Sequence, residues 1–143
     1  MTLSTIAKSI GYVWALPVTL FGLAYMATFA ALGWYRYYYT RDFAHVFVTN
    51  NARMPGWLAG LWKGWGGHTI GAAMVLCCTP ESGLMGRRLF AHERHHVEQC
   101  MKYGPFQPFF YLAAGCLAAM AGLNFYRDNV FEVAAYDVGD KAE

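Results

Sequence analysis

The chain has 143 residues, a formal net charge of +2, 57% hydrophobic residues and 14% charged residues. That length suits one domain with a modest core. An average soluble domain holds about 45–50% apolar and about 25% charged residues, so the composition points to a membrane or a large oligomeric interface. The net charge is small and no Lys/Arg run occurs, which gives no basis for a nucleic-acid partner. The four cysteines, Cys77, Cys78, Cys100 and Cys116, form no CxxC pair and read as small buried hydrophobes.

Between Lys8 and Arg36 lie 27 residues without a formal charge. A spanning helix needs about 20 apolar residues, and Pro17, Gly22 and Gly33 are tolerable in one. Trp14, Trp34 and Tyr35 sit toward the two ends, where aromatic belts belong. Residues 1–36 therefore read as a hydrophobic N-terminal helix, either a membrane anchor or a buried assembly helix, ahead of a domain at 37–143. A cleavable signal peptide fits less well, because the apolar run is long and no A-x-A site follows it. Arg36, Arg41 and Arg53 against Lys8 slightly favour a cytoplasmic C-terminal part.

Residues 43–49 are aromatic and β-branched and predict a strand. Residues 50–67 hold Pro55 and five glycines and predict a loop region. In it, Trp57, Leu58, Leu61, Trp62 and Trp65 suit a short amphipathic helix, a membrane-surface patch or ordinary packing. Residues 68–78 predict a second strand, and 79–83 a turn. A helix follows over 84–103 and is stopped by Gly104-Pro105. Pro108 starts another helix, and Asp128 or Asn129 caps a last one through Val138.

The segment from His92 to Gln99 reads HisGluArgHisHisValGluGln. His92 and His96 are four apart and share one helix face, where two neutral imidazoles chelate one Zn²⁺. Glu93 is offset by about 100° round the helix, toward a water on the metal rather than the metal itself. A catalytic zinc keeps three protein ligands and one open position. Glu132, on a separate helix 36 residues after His96, is the best third ligand. It also stands at capping-box spacing from Asn129, a role that would occupy its carboxylate. Cys100 is about 12 Å along the axis from His92 and too far to share an ion. His95 points away from His92, and His45 and His68 read as strand histidines.

Tyr103 to Tyr126 forms a second charge-free stretch of 24 residues. A spanning helix there would separate His92 and His96 from Glu132 by about 30 Å of hydrocarbon. The metal site therefore predicts that 106–123 stays on one side, packed on the domain or lying in the interface.

The pattern formed by His92, Glu93, His96, Val97, Gln99, Gly104, Pro105, Pro108, Tyr111, Asn129, Phe131, Glu132 and Ala135 resembles the minimal gluzincin-like zinc metallopeptidases. The likeness covers about residues 40–140. Val130 replaces a proline usual before Phe-Glu, and Tyr136 stands where larger members often place an acid. The resemblance implies an α+β, zincin-like fold: a small antiparallel sheet packed on an HExxH helix and a glutamate helix. It implies Zn²⁺ held by His92, His96 and Glu132, Glu93 as general base, and a peptide laid along one edge of the 68–78 strand. Tyr136, His95 and Tyr111 are candidates to help stabilise an oxyanion, with Tyr136 placed first.

The leading expectation is thus a membrane-associated zinc peptidase acting on a peptide or protein substrate, single-pass or monotopic. The alternative is a structural or assembly protein, such as a virion or envelope component, with a non-catalytic zinc site and an oligomeric setting. A peptidoglycan-degrading enzyme is weaker, since no sugar-binding signature accompanies the motif.

Overall fold

The computed structural model describes residues 5–142 apart from the Lys63 side chain; residues 1–4 of the N-terminal segment lie outside it. Helix α1 (Thr5–Ala31) leads into strands β1 (Tyr35–Arg41) and β2 (Ala44–Thr49). Helix α2 (Gly56–Trp65), strands β3 (Gly67–Ile70) and β4 (Ala73–Leu76), and helix α3 (Gly83–Tyr103) follow. A 3₁₀ turn (Gly104–Phe106) joins α3 to helix α4 (Gln107–Met120), and helix α5 (Val130–Asp140) ends the chain.

The fold is α+β, but the sheet is mixed rather than antiparallel. Its order is β1-β2-β4-β3, with β2 and β4 parallel. The expected single strand at 68–78 is two. Gly71 has a φ of +65°, so the chain reverses there and β3 pairs antiparallel with β4. The connection through α2 and β3 sets β4 beside β2 in the same direction. Strand β1 is a further departure. Its run of tyrosines breaks the alternation of two, and a register shift falls between Tyr37 and Tyr39. Asp42 and Phe43, both at positive φ, turn β1 into β2.

All four residues of β4 are fully buried, as a central strand covered on both faces requires. On one face Phe47, Ala73 and Val75 pack with Met26 of α1, Tyr35, Met54 and Trp62 of α2. On the other, Val46, Met74 and Leu76 pack with Val97 and Met101 of α3. Helix α1 is therefore a layer of the domain. Its buried stripe is Ala15, Thr19, Gly22 and Met26. The Ala72 amide donates to Thr19 Oγ1 at 3.1 Å, and a Cβ on Gly22 would strike the carbonyl of Ile70. Helix α4 has Gly115 against Phe125, and its Tyr111 bonds to α5. It stays on the domain, in line with the reading that 106–123 does not span.

His68 lies on the α2 side of the sheet, stacked on Trp62 at 5.1 Å with Tyr25 edge-on at 5.5 Å. Its Nε2 is buried and has no hydrogen-bond partner among the described residues, so it is not the satisfied strand histidine expected. His45, by contrast, is held by the Tyr12 hydroxyl at 2.8 Å and Thr40 Oγ1 at 3.0 Å.

Two outcomes are expected. Gly22→Val should lower stability to urea unfolding by about 1–3 kcal/mol through overpacking, whereas Gly60→Ala, with nothing within 4 Å, should not. Burial pushes the His68 pKa from 6.5 down to about 4. The unfolded chain then gains its proton first, so stability drops as pH falls from 6.5 toward 4, by roughly 3 kcal/mol in full. Urea titrations of His68→Phe should show a shallower pH dependence across that window, and equal slopes would refute the assignment.

Candidate metal centre

The sheet-facing stripe of α3 runs through Leu89, Glu93, Val97 and Met101, at helical spacing. Glu93 thus occupies a core position, 3% exposed. Its Oε2 accepts from the Thr69 hydroxyl on β3 at 2.8 Å. Gly67 makes room for it, since a Cβ there would lie 2.9 Å from Glu93 Oε1. Burial raises the Glu93 pKa, against the nearby His96 and the Thr69 bond.

One step round the helix, His92 and His96 face α5. That helix buries Glu132, Ala135 and Gly139 against α3. The two small residues allow close approach: a Cβ on Gly139 would lie 3.1 Å from the Arg88 carbonyl and 3.4 Å from His92 Cβ. Glu132 is thereby carried between the histidines. The two Nε2 atoms are 3.2 Å apart. His92 Nε2 is 3.4 Å from Glu132 Oε2, and His96 Nε2 is 3.4 Å from Glu132 Oε1. The three residues are buried or nearly so and form a group able to hold a metal ion.

The spacing fits one. Zinc–ligand bonds of ~2.0–2.1 Å in a tetrahedron place neighbouring ligand atoms about 3.3–3.4 Å apart. The donor set of two imidazoles and a carboxylate is also that of a catalytic zinc site. Glu132 Oε2 is buried without a hydrogen bond among the described residues, an orphan that a cation would satisfy.

Two of the three, His96 and Glu132, are held from behind by hydrogen bonds. His96 Nδ1 meets Gln99 Oε1 at 2.9 Å, and Gln99 Nε2 donates to the Phe131 carbonyl on α5 at 2.9 Å. The Tyr111 hydroxyl donates to Glu132 Oε1 at 2.7 Å. Burial alone would raise the Glu132 pKa, but His92, His96 and Tyr111 outweigh it and hold the carboxyl well below the usual range. Burial lowers the His96 pKa, and the Glu132 and Glu93 carboxylates reverse that to a net rise. The capping-box alternative for Glu132 does not form. Asn129 caps α5 with its own side chain, accepting from the Phe131 amide at 3.0 Å, and its amide donates to the Tyr126 carbonyl at 3.2 Å.

Two clefts meet here. One, of about 620 Å³, is walled by Pro17, Val18 and Phe21 of α1, by β3, and by Pro108 and Tyr111 of α4. The other, of about 560 Å³, lies between Trp65, the first turns of α3, and Tyr136 of α5. Glu93 and Tyr126 line both. Tyr136 packs its ring on His92 at 4.6 Å. His95 turns toward Glu98, and Cys100 lines the first cleft without joining the metal group. The outer edge of β3 borders the first cleft, with its Ile70 end covered by α1.

Thr69, Gly67 and Tyr126 had no signal in the sequence, because each acts through a contact made by the fold. Gln99 stood in the motif string without a stated role. No protein-family model, curated protein or solved structure matches the chain.

Zinc titration should reach about one ion per chain and fail with His96→Ala. Gln99→Ala should weaken zinc about 10–100-fold in chelator competition, as loss of a ligand's supporting hydrogen bond does; an unchanged affinity would show that the Gln99 bridge only ties α3 to α5.

Proposed function

We propose that the protein is a membrane-associated, zinc-dependent peptidase of gluzincin-like type. The observation that carries this reading is the convergence of His92, His96 and Glu132 beside the buried Glu93 carboxylate, at the junction of two clefts. An HExxH helix under a small sheet, with a glutamate helix closing on it, supports the zincin-like assignment.

Zinc bound there would supply Lewis-acid polarisation of a scissile carbonyl and a water acidified toward a pKa of about 7. Glu93 would take the proton of the attacking water and pass it to the leaving amine. Thr69 and Gly67 hold the Glu93 carboxylate in place under β3. An extended peptide would pair with the free part of the β3 edge and run through both clefts. Tyr136, which lines the second cleft, and Tyr126, which lines both, are the hydroxyls assigned to the developing oxyanion.

The alternative of an assembly protein with a structural zinc draws on the apolar surface of α1 and α4. It needs a closed fourth ligand. Among the described residues the group has three members and no cysteine, which favours an open coordination position and hence catalysis.

Glu93→Gln should keep about one zinc per chain and reduce cleavage of a quenched-fluorescence peptide library at least 100-fold. Cleavage at the wild-type rate by that variant would remove the peptidase reading.

A further inference from the structure

Helix α1 is long and apolar enough to cross a membrane by length and composition, a test also met by core helices and signal sequences. Its packing decides between them. At one end Gly11 abuts Met101 of α3, in the middle Thr19 holds Ala72, and toward the far end Tyr25 meets His68 of β3 at 5.5 Å and Met26 packs with Phe47, Ala73 and Val75. The domain is thus bound along the whole rod. Were α1 to cross a bilayer, the sheet and α3 would enter with it, bringing the Arg94–Asp42 pair at 3.2 Å into hydrocarbon. Charged side chains in hydrocarbon are strongly disfavoured.

The opposite face of α1 is equally apolar and has no partner in the described chain. Ile6, Ile10, Val13, Leu20 and Phe21 are between 61% and 75% exposed and recur at helical spacing. Helix α4 repeats the situation, with Phe109, Leu117 and Met120 between 65% and 84% exposed. The two helices wall the same cleft. Cations stand at both ends of α1: Lys8 in its first turns, Lys102 beside it on α3, and Arg53 against Gly33 at its C-terminal end. Cations framing an apolar face complement an anionic phospholipid surface.

We infer that α1 and α4 seat the protein in the plane of a bilayer surface, with the cleft over His96 and Glu93 opening into the lipid boundary, so that its substrates are apolar peptide segments embedded in the membrane. The docking stands without the peptidase reading; the substrate class rests on it.

The test uses the full chain and vesicles of phosphatidylcholine and phosphatidylglycerol. The wild type should float with them whether or not zinc is chelated. An environment-sensitive fluorophore on Leu20→Cys should be quenched by lipids brominated on the acyl chain, and one on Arg87→Cys should not, both in a background lacking the other accessible cysteines. Ile10→Asp with Leu117→Asp should cut vesicle binding about tenfold, each lost apolar contact adding to the effect, while zinc stoichiometry stays unchanged as proof of folding. A wild type that stays in the aqueous fraction overturns the docking. So does quenching at both positions, or a stable dimer in buffer that Leu20→Asp dissociates, since that face would then be a protein interface. For the substrate class, a peptide inserted in vesicles should be cleaved at least tenfold faster than the same peptide free in solution, an advantage lost in the Ile10→Asp, Leu117→Asp variant. Equal rates overturn the substrate class alone. Absence of any cleavage, with flotation intact, removes the peptidase reading and the substrate class but leaves the docking in place.

Discussion

The position of Glu132 depends on how closely two helices approach. Ala135 and Gly139 are the smallest residues on the buried stripe of α5, and they let that helix close on α3 at His92. A bulkier residue at 139 would push against the Arg88 carbonyl and lift the carboxylate away from the histidines. The metal group is therefore a property of helix packing as much as of its three ligand residues. Asn129 contributes by two bonds: it caps α5 and donates to the Tyr111 carbonyl at 2.9 Å. That ties the start of α5 to the same tyrosine that holds Glu132.

The sheet plays the matching part for Glu93. A carboxylate in a core stripe would ordinarily be costly. Here it is accommodated by a hydroxyl at Thr69 and a missing side chain at Gly67, both on the short edge strand β3. One strand thus positions the proposed base and offers the proposed substrate edge. Ligand side and base side of α3 are separated by a single helical step, so one helix serves two different walls.

Much of this arrangement was legible in the sequence. The histidine spacing, the Gly104-Pro105 stop and the requirement for a third ligand led to α3 and to Glu132. The uncharged run led to α1. Three features were hidden for physical reasons. Strand β1 lacks a clean period of two because of its bulge. The hairpin within 68–78 turns on one glycine flanked by apolar residues on both sides. The parallel pairing of β2 with β4 depends on a crossover that no local pattern encodes. The packed face of α1 was not legible either: both faces are apolar, so periodicity could not separate the one that meets protein from the one left open.

The docking of α1 on the β3–β4 turn also has a consequence for synthesis. Thr19 and its partner Ala72 are 53 residues apart in the chain. Helix α1 ends at Ala31, 41 residues before Ala72, so at ~5–20 residues per second it is complete for about 2–8 s before that turn has been made. During that interval it is an apolar rod with neither side covered. On the proposed docking, lipid would cover one face of α1, and the sheet would later take the stripe of Ala15, Thr19, Gly22 and Met26.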